Sequence, residues 1–136
     1  MVITHVTTAV WNLARQGTPF EAEFLVDTGA MVCLAPRESL LAAGIAPEGK
    51  AVYELANGQP IEFEYGFARI AFMGEETVAQ IIFGPEESEP ILGAVALDNT
   101  GVIVEPVTMT LKRVPAKPLK RAHRHGHWPD SPADRE

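Results

Sequence analysis

Apolar and polar positions alternate along much of the chain with a period of two, the pattern of half-buried strands. In 20–26, Phe20, Ala22 and Phe24 alternate with Glu21 and Glu23. In 61–68, Ile61, Phe63, Tyr65 and Phe67 alternate with Glu62, Glu64, Gly66 and Ala68, giving one apolar and one wet face. Read in order, the pattern predicts a strand over 1–12, rich in β-branched residues, a turn at Arg15-Gln16-Gly17-Thr18-Pro19, and a second strand over 20–26 that pairs with the first. A short buried strand follows at Met31–Ala35. Pro36 suits a first helical position, and 37–43 suits about two helical turns ended by Gly44. The next strand is Lys50–Ala56. Asn57-Gly58, a strong hairpin signal, turns it into a long partner strand reaching Met73. Gly74-Glu75-Glu76 turns again into Thr77–Phe83, and Gly84–Glu89 is an acidic loop. Pro90–Ala94 is an apolar strand stopped by glycine, Val95–Asn99 one helical turn, Gly101–Val104 a strand, Glu105-Pro106 a break, and Val107–Arg113 a last strand. Seven or eight short strands with one or two short helices make an all-β sandwich or barrel.

From Val114 onward the pattern dissolves, with prolines at 115, 118, 129 and 132. Charge changes at the same place. Residues 1–113 carry six Lys or Arg against fifteen Asp or Glu, whereas 114–136 carry five against three. The expected organisation is therefore a globular domain over 1–113 and a largely disordered Pro-, His- and Lys/Arg-rich tail over 114–136. The net charge of −7 argues against a general nucleic-acid binder. No apolar run approaches the ~20 residues of a membrane span, and Met1–His5 does not read as the start of a signal peptide. The single cysteine, Cys33, forms no internal disulfide. A cytoplasmic setting is the expectation.

One stretch breaks the alternation in a chemically telling way. Phe24-Leu25-Val26-Asp27-Thr28-Gly29-Ala30 sets a carboxylate between two apolar runs, where burying it without partners is costly. A structural reading is an Asx-type turn in which Asp27 accepts a backbone N–H and Gly29 supplies a positive φ. The other reading is a catalytic carboxylate.

Leu25-Val26-Asp27-Thr28-Gly29-Ala30, the hairpin at Asn57-Gly58, and Ile91-Leu92-Gly93-Ala94 occur in that order over 1–113. Together they resemble the retropepsin-like aspartic proteases, the single-lobe relatives of pepsin. Ile91-Leu92-Gly93 with Leu97-Asp98 and Gly101-Val102-Ile103-Val104-Glu105-Pro106 looks like the bacterial and archaeal branch. The resemblance implies an acid-protease barrel in which Asp27, Thr28 and Gly29 form the catalytic loop. It also implies a flap with its tip at Asn57, Gly58 and Gln59, and an apolar-apolar-glycine segment with a short helix packed beneath the loop. Ala30, Asn57, Gly58, Gln59, Ile91 and Leu92 become substrate-binding candidates, with Val32 a further pocket wall. The chain contains no second D-T-G.

The chemistry fits that resemblance. Hydrolysis by water needs a base and an acid. Two carboxylates about 3 Å apart supply both by sharing a proton. One acid per chain calls for a C2 homodimer in which Asp27 meets its own copy. The implied function is a homodimeric aspartic endopeptidase that acts on peptide or protein substrates with an activated water and needs no cofactor or metal. In the resemblance Thr28 hydrogen-bonds across the dimer floor, Gly29 admits backbone N–H groups to the carboxylates, and Ala30 leaves room for substrate. Two alternatives keep the fold without the chemistry: a non-catalytic peptide- or protein-binding dimer, and a dimerisation domain with Val107–Arg113 as its interface.

Other chemistry-bearing residues have plainer readings. Cys33 lies in an apolar strand as an inert thiol. His123, His125 and His127 form H-x-H-x-H, a metal-compatible spacing in a solvated tail. Glu86, Glu87 and Glu89 form a solvated acidic loop. Asp98 serves the short helix, and Lys117, Lys120, Arg121 and Arg124 form a weak positive patch.

Overall fold

The structure, a computed structural model, describes residues 4–117 and 119. His123, His125 and His127, Lys120, Arg121 and Arg124, and most of the expected tail lie outside the described residues. The chain runs β1 (His5–Trp11), β2 (Phe20–Val26), β3 (Cys33–Pro36), α1 (Arg37–Ala42), β4 (Gly49–Glu54), β5 (Pro60–Phe72), β6 (Glu75–Gly84), β7 (Ile91–Leu92), α2 (Ala94–Thr100), β8 (Val102–Val104) and β9 (Leu111–Arg113).

Seven strands form one sheet in the order β1-β2-β7-β3-β6-β5-β4. An extra pairing of β1 with β5, Ala9 opposite Ala71 and Trp11 opposite Arg69, closes the first six into a barrel. β4 hangs on the outside of β5. Strands β8 and β9 form a separate two-stranded sheet. The expected β1–β2 hairpin is present, His5 opposite Leu25 through Val10 opposite Phe20. The barrel is filled by Val10, Phe24, Cys33, Ala35, Ala68, Ile70, Phe72, Ile81, Phe83 and Leu92, with Leu40 of α1 and Ala96 and Leu97 of α2 closing it. All-β architecture with two short helices is what the alternation predicts.

Four elements differ from expectation. Pro36 is not the first residue of α1: its ψ of 136° is extended, it pairs with Gly84 as the last residue of β3, and the helix starts at Arg37. β3 begins at Cys33, so Met31, 62% exposed, belongs to the preceding loop. The turn after β5 is the two residues Met73-Gly74, both at positive φ, the geometry of a type I′ hairpin; Glu75 and Glu76 already belong to β6. The last strand shortens to Leu111–Arg113. Residues 105–110 instead reverse the chain, with the Met109 N–H donated to the Glu105 carbonyl and the Glu105 N–H to that of Thr110.

Strand β5 explains why one clean alternation misleads. Its core-facing residues are Gly66, Ala68, Ile70 and Phe72. Ile61 and Phe67, from the apolar set of the first half, are 36% and 43% exposed. The apolar set therefore changes face near Gly66 with no break in pairing to β6. Gly66 is where the chain before β4 crosses the strand. A Cβ there would sit 2.7 Å from the Ala46 carbonyl oxygen and 3.0 Å from the Phe83 ring. Gly66→Ala is expected to cost about 2 kcal/mol, the range for forcing atoms into a packed site. A lowered urea midpoint with an unchanged slope checks it.

Candidate active site

The Asp27 loop is built by its own backbone and by the segment beneath it. β2 delivers the chain between β1 and β7, pairing Val26 with Leu92 in parallel. The Asp27 N–H donates to the Leu92 carbonyl (3.0 Å), which ends the strand on β7. The chain then folds back on the carboxylate: the Gly29 N–H donates to Asp27 Oδ1 (2.9 Å), and the Ala30 N–H to the Asp27 carbonyl (3.1 Å). This is the Asx turn that the sequence allows. The expected positive φ at Gly29 is not found. What the position requires is space, because a Cβ there would lie 3.3 Å from Asp27 Oδ1. The turn and an exposed functional acid are compatible, since only Oδ1 is tied down. Asp27 is half-buried, Thr28 and Gly29 are exposed, and Oδ2 makes no hydrogen bond among the described residues.

The second half of the loop is gripped by the start of α2. The Ala94 N–H donates to the Ala30 carbonyl (2.7 Å) and the Val95 N–H to that of Met31 (3.1 Å). Gly93 lies so close that a Cβ on it would fall 2.5 Å from the Val32 carbonyl oxygen. The resemblance implies that Ile91-Leu92-Gly93 lies beneath the loop, and these contacts join the two segments. α2 spans Ala94–Thr100 rather than one turn and ends on Gly101, left-handed at φ 72°.

Cys33 sits directly under this junction. Its Sγ accepts the Gly93 N–H at 3.4 Å, and its side chain is 1% exposed. Burial pushes the thiol up to about 11, offset slightly by the Gly93 N–H, which favours the thiolate. The folded state holds the protonated thiol, so its contribution to stability is full below the ordinary value of 9.0 and is lost as pH rises through about 11. An alkylating reagent at pH 8 is expected to leave Cys33 unmodified in folded protein and to label it fully after denaturation, read by intact-protein mass; rapid labelling of folded protein would contradict the burial.

The flap candidate has a defined tip. The Leu55 N–H donates to the Gln59 carbonyl and the Gly58 N–H to the Leu55 carbonyl. Gly58 lies at φ 83°, and Asn57 Oδ1 accepts the Gln59 N–H. This is a three-residue loop with a left-handed glycine, not the two-residue turn Asn-Gly most often makes. Asn57, Gly58 and Gln59 are all exposed. No hydrogen bond joins the tip to the Asp27 loop among the described residues.

The two apolar candidates separate. Leu92 is fully enclosed in the barrel core, so it offers no surface to a peptide. Ile91 is half-buried beside Leu25 and Leu34, with which it pairs. In a strand successive side chains point to opposite faces, so these neighbours could not both line one pocket. Val32 and Ala30 are half-buried on the loop, and Met31 and Val95, 62% and 38% exposed, lie where the loop meets α2. Sequence reasoning passed over both. Asp98 lies in α2, where its carbonyl accepts the Gly101 N–H. Glu89 of the acidic loop pairs with His5 at 2.9 Å. A groove of about 520 Å³ opens elsewhere, between the β1–β2 turn and the end of α1, lined by residues including Asn12, Leu13, Gly44 and Phe67. No helix among the described residues is long and apolar enough to cross a membrane.

No protein-family profile matches the chain, and no curated protein matches it. Solved structures do. The EIAV protease complexed with the inhibitor HBY-793 superposes with a TM-score of 0.54 at 16% identity, over 74% of this chain and 89% of that one. The solution structure of the simian foamy virus (mac) protease matches at 15% identity over 69% of this chain and 91% of that one, TM-score 0.47. The foamy viral protease–reverse transcriptase in complex with RNA/DNA hybrid matches at 16% identity over 68% of this chain and 11% of that one, TM-score 0.48. The superposition on the EIAV protease shows that the barrel has the retropepsin-like aspartic protease fold. These matches are viral, and they lend no support to a bacterial and archaeal branch.

Proposed function

We propose that this chain is an aspartic endopeptidase that works as a homodimer, with the Asp27 carboxylates of two copies activating one water between them. The observation that carries the reading is the state of Asp27. One carboxylate oxygen is fixed by the Gly29 N–H, while the other is left without a partner among the described residues. The loop is held by the Leu92 carbonyl on one side and by the N–H groups of Ala94 and Val95 on the other. An acid whose turn uses only one oxygen keeps the other open toward solvent, where it can take a proton from a bound water.

Each chain carries one D-T-G. Two carboxylates facing across a two-fold axis share a proton, so one is the base toward water while the other is the acid toward the scissile carbonyl. In this reading Thr28, exposed beside Asp27, hydrogen-bonds across the axis, and Gly29 keeps the carboxylate edge clear. The exposed tip Asn57-Gly58-Gln59 closes over an extended peptide, excluding water. Ala30, Val32 and Ile91 remain the wall candidates. The buried free thiol suits a reducing, cytoplasmic setting.

The test is cleavage of an unstructured peptide library from acid to neutral pH, alongside sedimentation over the same protein concentrations. Cleavage whose specific rate rises with the dimer fraction is expected. A monomer at concentrations far above those of the assay would sink the reading. A dimer that binds the peptides and leaves them intact would favour the non-catalytic binding module.

A further inference from the structure

The β4–β5 hairpin leaves the barrel poorly supported. β4 is last in the strand order and, among the described residues, pairs with β5 alone, from Gly49 opposite Tyr65 to Glu54 opposite Pro60. β6 flanks β5 only from Glu64 onward. Among the described residues, 60–63 of β5 therefore have β4 as their only strand partner, and an isolated two-stranded ribbon is marginal in water. Its backbone ladder fixes the two strands to each other but not the angle at which the pair leaves the barrel.

Among the described residues, two side-chain hydrogen bonds tie this ribbon to the rest: Arg37 Nε of α1 donates to Glu64 Oε1 (2.8 Å) at its root, where β6 already flanks β5, and a second holds the ribbon farther out, where β6 no longer pairs with β5. Gln80 Nε2, on β6, donates to the Tyr53 hydroxyl, on β4, at 2.9 Å, and both residues are half-buried. The register makes this contact informative. Tyr53 lies opposite Ile61, and Gln80 lies opposite Phe67. Along β5 those rungs are six residues apart, about 20 Å at the rise of a strand, with two strand spacings to cross as well. In a flat sheet the two side chains could not meet. They meet because the ribbon is twisted and curled along that diagonal. The rings of Tyr53 and Phe63 (6.3 Å) and of Tyr65 and Phe67 (6.0 Å) pack on the same face of the sheet.

We propose that the Tyr53–Gln80 hydrogen bond is a brace that sets the pitch of the hairpin, so that these two residues position the Asn57-Gly58-Gln59 tip for peptide capture. Neither touches the tip or the Asp27 loop; they act through the curl of the ribbon. The inference takes from the function proposed above the role of the hairpin as a lid, while the brace itself is a property of the fold.

The experiment is hydrogen exchange on full-length protein, comparing amides of Val52–Ile61 with those of β1 and β2. Tyr53→Phe and Gln80→Leu are each expected to speed hairpin exchange about fivefold, the size of one net hydrogen bond, with β1–β2 exchange unchanged. The double variant should exchange no faster than either single one, because both remove the same bond. Gln80→Glu, whose carboxylate can accept from the Tyr53 hydroxyl with the direction of the bond reversed, should stay near wild type. Wild-type hairpin exchange in Tyr53→Phe, or additive effects in the double variant, would overturn the brace. If Gln80→Leu loosens the whole barrel, Tyr53→Phe decides alone, since it removes a single oxygen. With cleavage established, the variants should raise KM for a peptide while keeping kcat; an unchanged KM would overturn the positioning role. The exchange result is independent of catalysis, so an inactive wild type with faster hairpin exchange in the variants would refute the protease reading and leave the brace standing.

Discussion

Asp27→Asn is expected to abolish peptide hydrolysis, lowering kcat at least about 10³-fold, the scale of a lost general base. The fold should be untouched. The amide is isosteric, and its oxygen can still accept the Gly29 N–H that shapes the turn. The contacts of the Asp27 backbone with Leu92 and Ala30 do not involve the side chain. What is lost is a group able to take a proton from water. The melting temperature should therefore stay within a few degrees of wild type while activity disappears, which separates a chemical defect from a folding one. Mixing makes the test sharper. If the site is shared across a two-fold axis, equal amounts of wild type and variant, allowed to exchange subunits, leave about a quarter of the dimers with two carboxylates. Activity should fall to about that fraction. A fall only to half would mean that each chain works alone, and full activity in Asp27→Asn itself would remove Asp27 from the chemistry.

The sequence made much of this site legible because its parts are local. An apolar strand running into D-T-G-A and a second apolar strand ending in glycine are short patterns, and their meeting needed only one parallel pairing, Leu25 with Ile91 and Val26 with Leu92. The strands were legible because period two survives whichever face is buried. That is also where reading failed. The alternation in β5 marks an apolar face but carries no information about which face turns inward, and Gly66, Ala68, Ile70 and Phe72 fill the core instead of the aromatic set before them. The closing of the barrel by β1 on β5 joins residues about 60 apart with no local signal. Gly29 looked like a residue chosen for its φ; its role is to stay clear of Asp27 Oδ1. Period two alone rules out Ile91 and Leu92 lining one pocket together, and the full burial of Leu92 decides which of the two drops out.

Gly93→Ala should be among the most damaging single substitutions to the stability of the fold, and a comparison with Gly17 shows why. Gly93 has φ −94° and ψ 176°, backbone angles any residue adopts. A Cβ added there would stand 2.5 Å and 2.7 Å from the carbonyl oxygen and carbon of Val32 and 3.0 Å from the Ala30 carbonyl oxygen. All three are backbone atoms, so no rotamer change relieves the clash. Either the Ala30–Val32 segment moves off α2, weakening the Ala94–Ala30 and Val95–Met31 hydrogen bonds, or Gly93 withdraws from Cys33 and β7. Overpacking plus weakened buried hydrogen bonds gives a loss of about 3–5 kcal/mol. For a domain of this size that lowers the melting temperature by about 10–20 °C. Gly17 is the reverse case: nothing lies within 4 Å of its missing Cβ, but its φ is 75°. Gly17→Ala should cost only about 1 kcal/mol, from conformation alone. The Gly93 change also moves the segment that carries Asp27, so whatever protein stays folded should cleave poorly, whereas Gly17→Ala should keep wild-type kcat. Equal melting temperatures for the two variants would mean that the Asp27 loop rests loosely on β7 and α2. A rigid, half-open carboxylate would then lose its structural basis, because these contacts fix the Asp27 loop.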